Sequence, residues 1–177
     1  VPFSSRTLVE AYARGAQQFG WSERKPQPRM QRDGRWLVGQ GVATAYYPAY
    51  RFPGSARVAL HADGTAHVYA AAGEMGMGTA TVQLQHAAER LGLPIEHVSF
   101  HYGDSALPDS PMAGGSCQTI SIVAAVQAAI ADLHQQLVGL ARRQDGVLAG
   151  ATVKTTELRG GGLFRTDKSG GEMLTSI

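Results

Sequence analysis

Residues 65–102 read TAHVYAAAGEMGMGTATVQLQHAAERLGLPIEHVSFHY, and their reading decides the fold. Ala66, Val68 and Ala70 alternate with other residues, the period of a half-buried strand. Gly73, Gly76 and Gly78 then interrupt the chain. From Val82 the pattern changes: Leu84, Ala87, Ala88 and Leu91 fall on one helical face, and Gly92 and Pro94 close it. IEHVSFHY resumes as a strand. A strand, a helix and a strand in this order make a βαβ unit. Residues 65–72 and 95–102 are therefore expected to lie parallel in one sheet.

The neighbouring segments extend this unit. SARVALHADGTAHVYAAAG is a hairpin, with Val58 and Leu60 before an ADGT turn at Gly64. After GDSALPDSPMAGGS, the residues Val123, Val126, Ile130, Leu133, Leu137 and Leu140 recur at steps of three and four, which predicts a helix from about 118 to 143. Near the start, Leu8, Tyr12, Ala16 and Phe19 predict a helix with Ser4 or Ser5 as its cap and Gly20 as its stop. RWLVGQGVATAYYPAY is rich in Val, Tyr and Trp and reads as a strand. ATVKTTELRGGGLFRTD reads as a hairpin turning at Gly160–Gly162. The expected class is α/β (α+β): a mixed β-sheet with packed helices, containing a βαβ unit, in one domain over residues 1–177. The start at Val1 and the end in GGEMLTSI suggest a fragment of a longer chain.

Composition narrows the function. The chain has 177 residues, 44% hydrophobic and 17% charged, so it can bury a core. Its net charge of +2 argues against nucleic acid or an anionic membrane as partner. Positions 1–57 carry nine basic residues, and the excess clusters in RKPQPRMQRDGR, which reads as a solvated loop. Cys117 is the single cysteine, so no internal disulfide forms and the compartment, cytoplasmic or periplasmic, stays open.

Two loops share a design. GEMGMGT runs from a strand into a helix, and SPMAGGSCQT runs from a polar loop into another. A helix N-terminus carries unsatisfied N–H groups and a partial positive charge, so anions dock there. Glycines just before it let a ligand approach the backbone. Thr79, Ser116, Gln118 and Thr119 add donors. The plain alternative is that both are tight turns with ordinary caps. Neither loop is a standard nucleotide motif: GEMGMG has the order G-x-x-G-x-G, and no Gly-Lys-Ser/Thr follows either loop.

These residues carry a resemblance. GEMGMGTATVQLQHAAERLGLPIEHVSFHYGDSALPDSPMAGGSCQTISIVAAVQAA resembles the molybdenum-cofactor-binding subunit of the xanthine dehydrogenase/aldehyde oxidase family, on its bacterial aldehyde-oxidising branch. The likeness is dense over residues 66–130, with two separated motifs in the family's order. It implies a molybdopterin cytosine dinucleotide carrying Mo. It also implies hydroxylation of an aldehyde or heteroaromatic carbon with oxygen from water, and partner subunits holding [2Fe–2S] clusters and FAD. Carried over by position, Gly76, Met77 and Gly78 would line the pterin side near the metal, with Thr79 the donor at the helix start beside them. Gly114, Gly115 and Ser116 pass beside the molybdenum ligands, and Cys117, Gln118 and Thr119 donate to the cofactor. Many relatives have Gln where Met77 stands, and a thioether cannot donate that hydrogen bond. The family's catalytic glutamate lies in a Gly-x-Gly-Glu motif. Neither GGGLF nor SGGEM, with Glu172, supplies it in context, so no catalytic residue is assigned and the chain alone is expected to be inactive. The alternative reading is a nucleotide- or anion-binding module without redox chemistry.

Other groupings read as structural. His97 and His101 share a strand face but stand too far apart for one ion, and no metal ligand set is assigned. His61 and His67 flank the hairpin turn as an exposed pair. Asp104 and Asp109 fit turn chemistry, and Ser116 lacks a nucleophile elbow.

Overall fold

The computed structural model describes residues 6–48, 50–141 and 146–177. They divide into two compact units, one up to Tyr47 and one from Pro48 onward.

The first unit holds helix α1 (Leu8–Phe19) and a short antiparallel ladder of β1 (Arg32–Asp33) and β2 (Trp36–Leu37). Gly20 ends α1 in the left-handed region, as its position predicts. Ser4 and Ser5 lie outside the described residues; Thr7 precedes the first helical residue without a side-chain cap. The strand expected over residues 35–50 is reduced to Trp36–Leu37. Val42, Tyr46 and Tyr47 beyond it are exposed. High strand propensity produces no strand where no neighbouring strand or buried face receives it.

The second unit is built on the βαβ element. Strands β3 (Arg57–Leu60) and β4 (Ala66–Tyr69) form the expected hairpin, with Val58 opposite Val68. The Asp63 carboxylate accepts from the Thr65 N–H at 2.9 Å and fixes the turn. Helix α2 (Thr79–Leu91) crosses over to β5 (Val98–His101), which pairs parallel to β4 with Ala66 opposite Val98. Strand order is β3-β4-β5, so this sheet is mixed.

Helix α3 (Gln118–Ala141) spans about 36 Å at the helical rise. The last two residues of the expected helix lie outside the described ones. Its first half packs with α2 over the sheet, where Ala66, Val68, Leu91, Val98, Ile122, Val126 and Ile130 are buried. Its second half serves another cluster, in which Leu137, Val138 and Ala141 meet Leu148, Leu163 and Leu174. This change of partner rotates the buried stripe. Leu140, expected inside, is 46% exposed, and Val138 and Ala141 are buried instead. The second cluster lies beneath an antiparallel sheet of β6 (Thr156–Arg159), β7 (Gly162–Arg165) and β8 (Gly171–Met173). Gly160 and Gly161, both at positive φ, make the tight turn between β6 and β7.

Gly92 joins the two parts of the unit. It caps α2 at φ 65°, and its carbonyl accepts from Gly161 N–H at 3.0 Å. A Cβ there would lie 2.5 Å from the Arg159 Cα. Gly103 has a similar φ of 78° with open space beside it. Gly92→Ala should therefore lose roughly 2–4 kcal/mol of stability, combining backbone strain with overpacking. Gly103→Ala should lose only about 1–2 kcal/mol. Urea unfolding of the two variants checks the difference; equal losses would mean that the α2–β6 contact is loose.

Candidate functional site

Both glycine loops lie at one end of the second unit, and four contacts hold them there. Ala71 N–H donates to the Pro108 carbonyl at 2.7 Å, and Ser110 Oγ donates to the Ala71 carbonyl at 2.7 Å. Beyond them a methyl on Gly73 would meet Ala113 Cβ at 3.8 Å. At the helix starts, Thr79 Oγ1 and Thr119 Oγ1 are hydrogen-bonded at 2.8 Å. One turn further along α2, Gln83 Nε2 donates to the Thr119 carbonyl at 3.1 Å. Thr79 and Gln83 are buried and Thr119 is half-buried, so two side chains of one helix hold a single residue of the other. The ten residues Gly76 to Thr79 and Gly114 to Thr119 are thus brought together.

The two starts differ in how their N–H groups are used. At α2 the cap residue is Gly78, which has no side chain to offer. Glu74 takes that role from four residues upstream. Its Oε1 accepts from Gly76 N–H at 2.9 Å and Gly78 N–H at 3.1 Å, and its Oε2 accepts from Ala80 N–H at 3.3 Å. Partial desolvation of Glu74 works upward on its pKa. The N–H groups of Gly78, Ala80, Gly76 and Thr79 together outweigh it and hold the carboxyl below its ordinary value. Gly76 and Gly78 have φ of 99° and 75°, and a Cβ on either would meet nothing within 4 Å. Met77 stands between them, and its Sδ accepts from Met75 N–H at 3.4 Å.

At α3 the side chains turn inward. Cys117 is buried, and its thiol donates to the Gly114 carbonyl at 2.9 Å. Gln118 Nε2 donates to the Pro111 carbonyl at 3.0 Å. Ser121 Oγ donates to the Cys117 carbonyl at 2.7 Å and accepts from Phe52 N–H at 3.0 Å. Gly115 and Ser116 are both left-handed, at φ 58° and 56°. That conformation is uncommon for serine and marks a constrained loop. The donors expected from Cys117, Gln118 and Thr119 side chains are therefore engaged within the protein. The backbone N–H groups of Gln118, Thr119 and Ile120, in the first turn, have no acceptor among the described residues.

Two further polar atoms stand out. Gln83 Oε1 and Gln118 Oε1 are buried without a hydrogen-bond donor among the described residues. Neither Glu74 nor Gln83 was singled out in the sequence. Gln83 carried a signal, a polar residue four positions before the buried Ala87 on the apolar face. Glu74 carried none, because its reach depends on the loop's shape.

The histidines arrange differently from the sequence expectation. His97 ends a 3₁₀ turn before β5, so it does not share a strand face with His101. His101 instead meets His67 of the adjacent parallel strand, ring nitrogens 2.9 Å apart, and His61 packs on His67 with ring centroids 4.6 Å apart. They lie on the sheet face away from α2 and α3. Asp104 closes a turn by accepting from Ala106 N–H at 2.8 Å.

A family model described as a molybdopterin cofactor-binding domain matches residues 14–173. The chain belongs to this family. The aldehyde oxidoreductase molybdenum-binding subunit PaoC of Escherichia coli (strain K12) is 36% identical over 176 residues, covering 94% of this chain and 24% of that protein. A xanthine dehydrogenase molybdenum-binding subunit of Escherichia coli O157:H7 is 33% identical over 99 residues, covering 53% of this chain and 13% of that protein. The crystal structure of quinoline 2-oxidoreductase from Pseudomonas putida 86 shares the fold, with a TM-score of 0.50 at 19% identity over 70% of this chain and 15% of that one. The chain spans about a quarter of the length of PaoC. The residues present fit a molybdopterin group: open space at two left-handed glycines, free first-turn N–H groups, and an unpartnered buried Gln118 oxygen.

Two measurements test this geometry. Thr79→Val and Thr119→Val should each cost about 1–3 kcal/mol by leaving one hydroxyl unpaired. The double variant should cost less than their sum by about 1 kcal/mol, and urea unfolding would show it; strict additivity would remove the contact. The second is a pH titration. A depressed carboxyl contributes its order above the unfolded pKa, near 4.5, and loses it as pH falls through the folded value. The amide NMR shifts of Gly76 and Gly78 should move together with a midpoint below 4.5, and Glu74→Gln should abolish the movement.

Proposed function

We propose that this chain supplies one wall of the molybdopterin site in the molybdenum-binding subunit of an aldehyde- or heterocycle-oxidising hydroxylase. The observation that carries the reading is the Thr79–Thr119 hydrogen bond at 2.8 Å, which joins the two glycine loops into one surface. The family match supports it over the plain reading of two unrelated turns.

The cofactor is a molybdopterin cytosine dinucleotide. When bound, the molybdenum group supplies the redox step, in which an aldehyde or heteroaromatic carbon is hydroxylated with oxygen from water. Partner subunits would hold [2Fe–2S] and FAD groups as electron acceptors. The residues of this chain bind and orient. Gly76 and Gly78 admit the pterin side to the backbone, and Met77 offers a soft apolar surface there in place of a donor. Gly114 and Gly115 pass beside the metal ligands without side chains in the way. The N–H groups of Gln118, Thr119 and Ile120 bind anionic oxygens at the positive end of α3, with the Ser116 hydroxyl beside them. Thr79, Cys117 and the Gln118 side chain hold these donors in place, and the Gln118 oxygen accepts a cofactor N–H.

None of these groups is a proton acceptor suited to activating water. Glu172 lies in β8, opposite Leu163 in the antiparallel sheet, and takes no part in the glycine loops. Residues 1–177 by themselves should therefore show no steady turnover of an aldehyde. The deciding experiment is metal and nucleotide analysis of the full-length natural chain purified with its partners. Molybdenum and released CMP in equal amounts are expected. A folded protein with neither would leave the loops as turns or as a site for another anion.

A further inference from the structure

The Glu74 carboxylate reaches forward over its own loop. One oxygen gathers the N–H groups of Gly76 and Gly78 on either side of Met77, and the other takes Ala80 N–H inside the helix. The three residues 76–78 are thus closed on a single oxygen atom, with the Met77 side chain 39% exposed. Among the described residues nothing else accepts these N–H groups, and no Cβ restrains the two glycines, which face open space. The loop's shape rests on this one side chain. The same carboxylate places a full negative charge where the α2 N-terminus would draw an anion. No carboxylate stands in the first turn of α3.

We propose that Glu74 is the positioning residue of the pterin-side loop: it holds Gly76, Met77 and Gly78 in the cofactor-receiving shape and closes the start of α2 to anions. The anionic groups of the cofactor are thereby directed to α3 alone. This rests on the function proposed above. Aspartate lacks the methylene needed to reach both glycine N–H groups and Ala80. Glutamine keeps one acceptor oxygen, enough for Gly76 and Gly78, and loses the bond to Ala80.

The test uses the full-length natural chain with its partner subunits, as wild type and as Glu74→Gln, Glu74→Asp and Glu74→Ala. Molybdenum and CMP per chain are measured, together with the melting temperature of the cofactor-free form with and without millimolar inorganic phosphate. Glu74→Ala should lose about tenfold or more in cofactor content, as expected for losing charge-assisted hydrogen bonds, with Glu74→Gln falling less than Glu74→Asp. Cofactor-free Glu74→Ala should gain a phosphate-dependent rise in melting temperature beyond that of wild type, in which only the α3 start is open to phosphate. Folded variants loaded as fully as wild type would overturn the positioning role. If Glu74→Ala does not fold, Glu74→Gln and Glu74→Asp decide that point by themselves. A folded Glu74→Ala chain whose phosphate response is no greater than that of wild type would overturn the closure of α2. A wild type without molybdenum or nucleotide would overturn the proposed function, whereas the phosphate response tests the loop independently of it.

Discussion

The contact on which the site depends is the junction of buried Thr79 and Gln83 with half-buried Thr119. A hydroxyl pair and an amide–carbonyl bond, one turn apart on α2, fix the first turn of α3. Polar groups in such a position are costly unless paired, so the junction tolerates little sliding of one helix on the other. The apolar packing of Leu91, Ile122 and Val126 beneath it supplies most of the driving force for the two helices to meet. It does not by itself set their register. The junction does, and the glycine loops inherit that register because each runs directly into one of the two helix starts.

A shared position does not make the loops alike. At α2 the chain's own carboxylate already satisfies the N–H groups and repels anions, and the glycines leave an open backbone surface. At α3 the side chains are turned into the protein and the first-turn N–H groups are left free. One start is suited to a close, neutral approach and the other to negative charge. A cofactor with a fused ring system at one end and phosphates at the other matches this asymmetry better than a simple anion does. The left-handed Ser116 fits the same picture, since strained backbone persists only where surrounding contacts impose it.

Much of this was legible in the residues. The change from a period of two to a helical period and back, with glycines between, pointed to the βαβ unit and hence to the parallel pairing of β4 with β5. The loops could be placed at helix starts for the same reason. Residues 38–48 misled because Val and Tyr favour strands only where a neighbour exists, and the sequence does not say which strands meet. Leu140 misled because α3 changes partner along its length, which no single periodicity records. The use of Glu74 was hidden, since the placing of its donors depends on two positive φ angles downstream. The meeting of His67 with His101 was implicit in the parallel pairing, but only once the register was known.

The central claim is that both loops contact one cofactor. The most direct measurement is hydrogen exchange of the full-length natural protein, cofactor-loaded against cofactor-free, resolved at residues 74–80 and 114–120. Both segments should gain protection together on loading. Protection of one segment alone, or of neither, would contradict it.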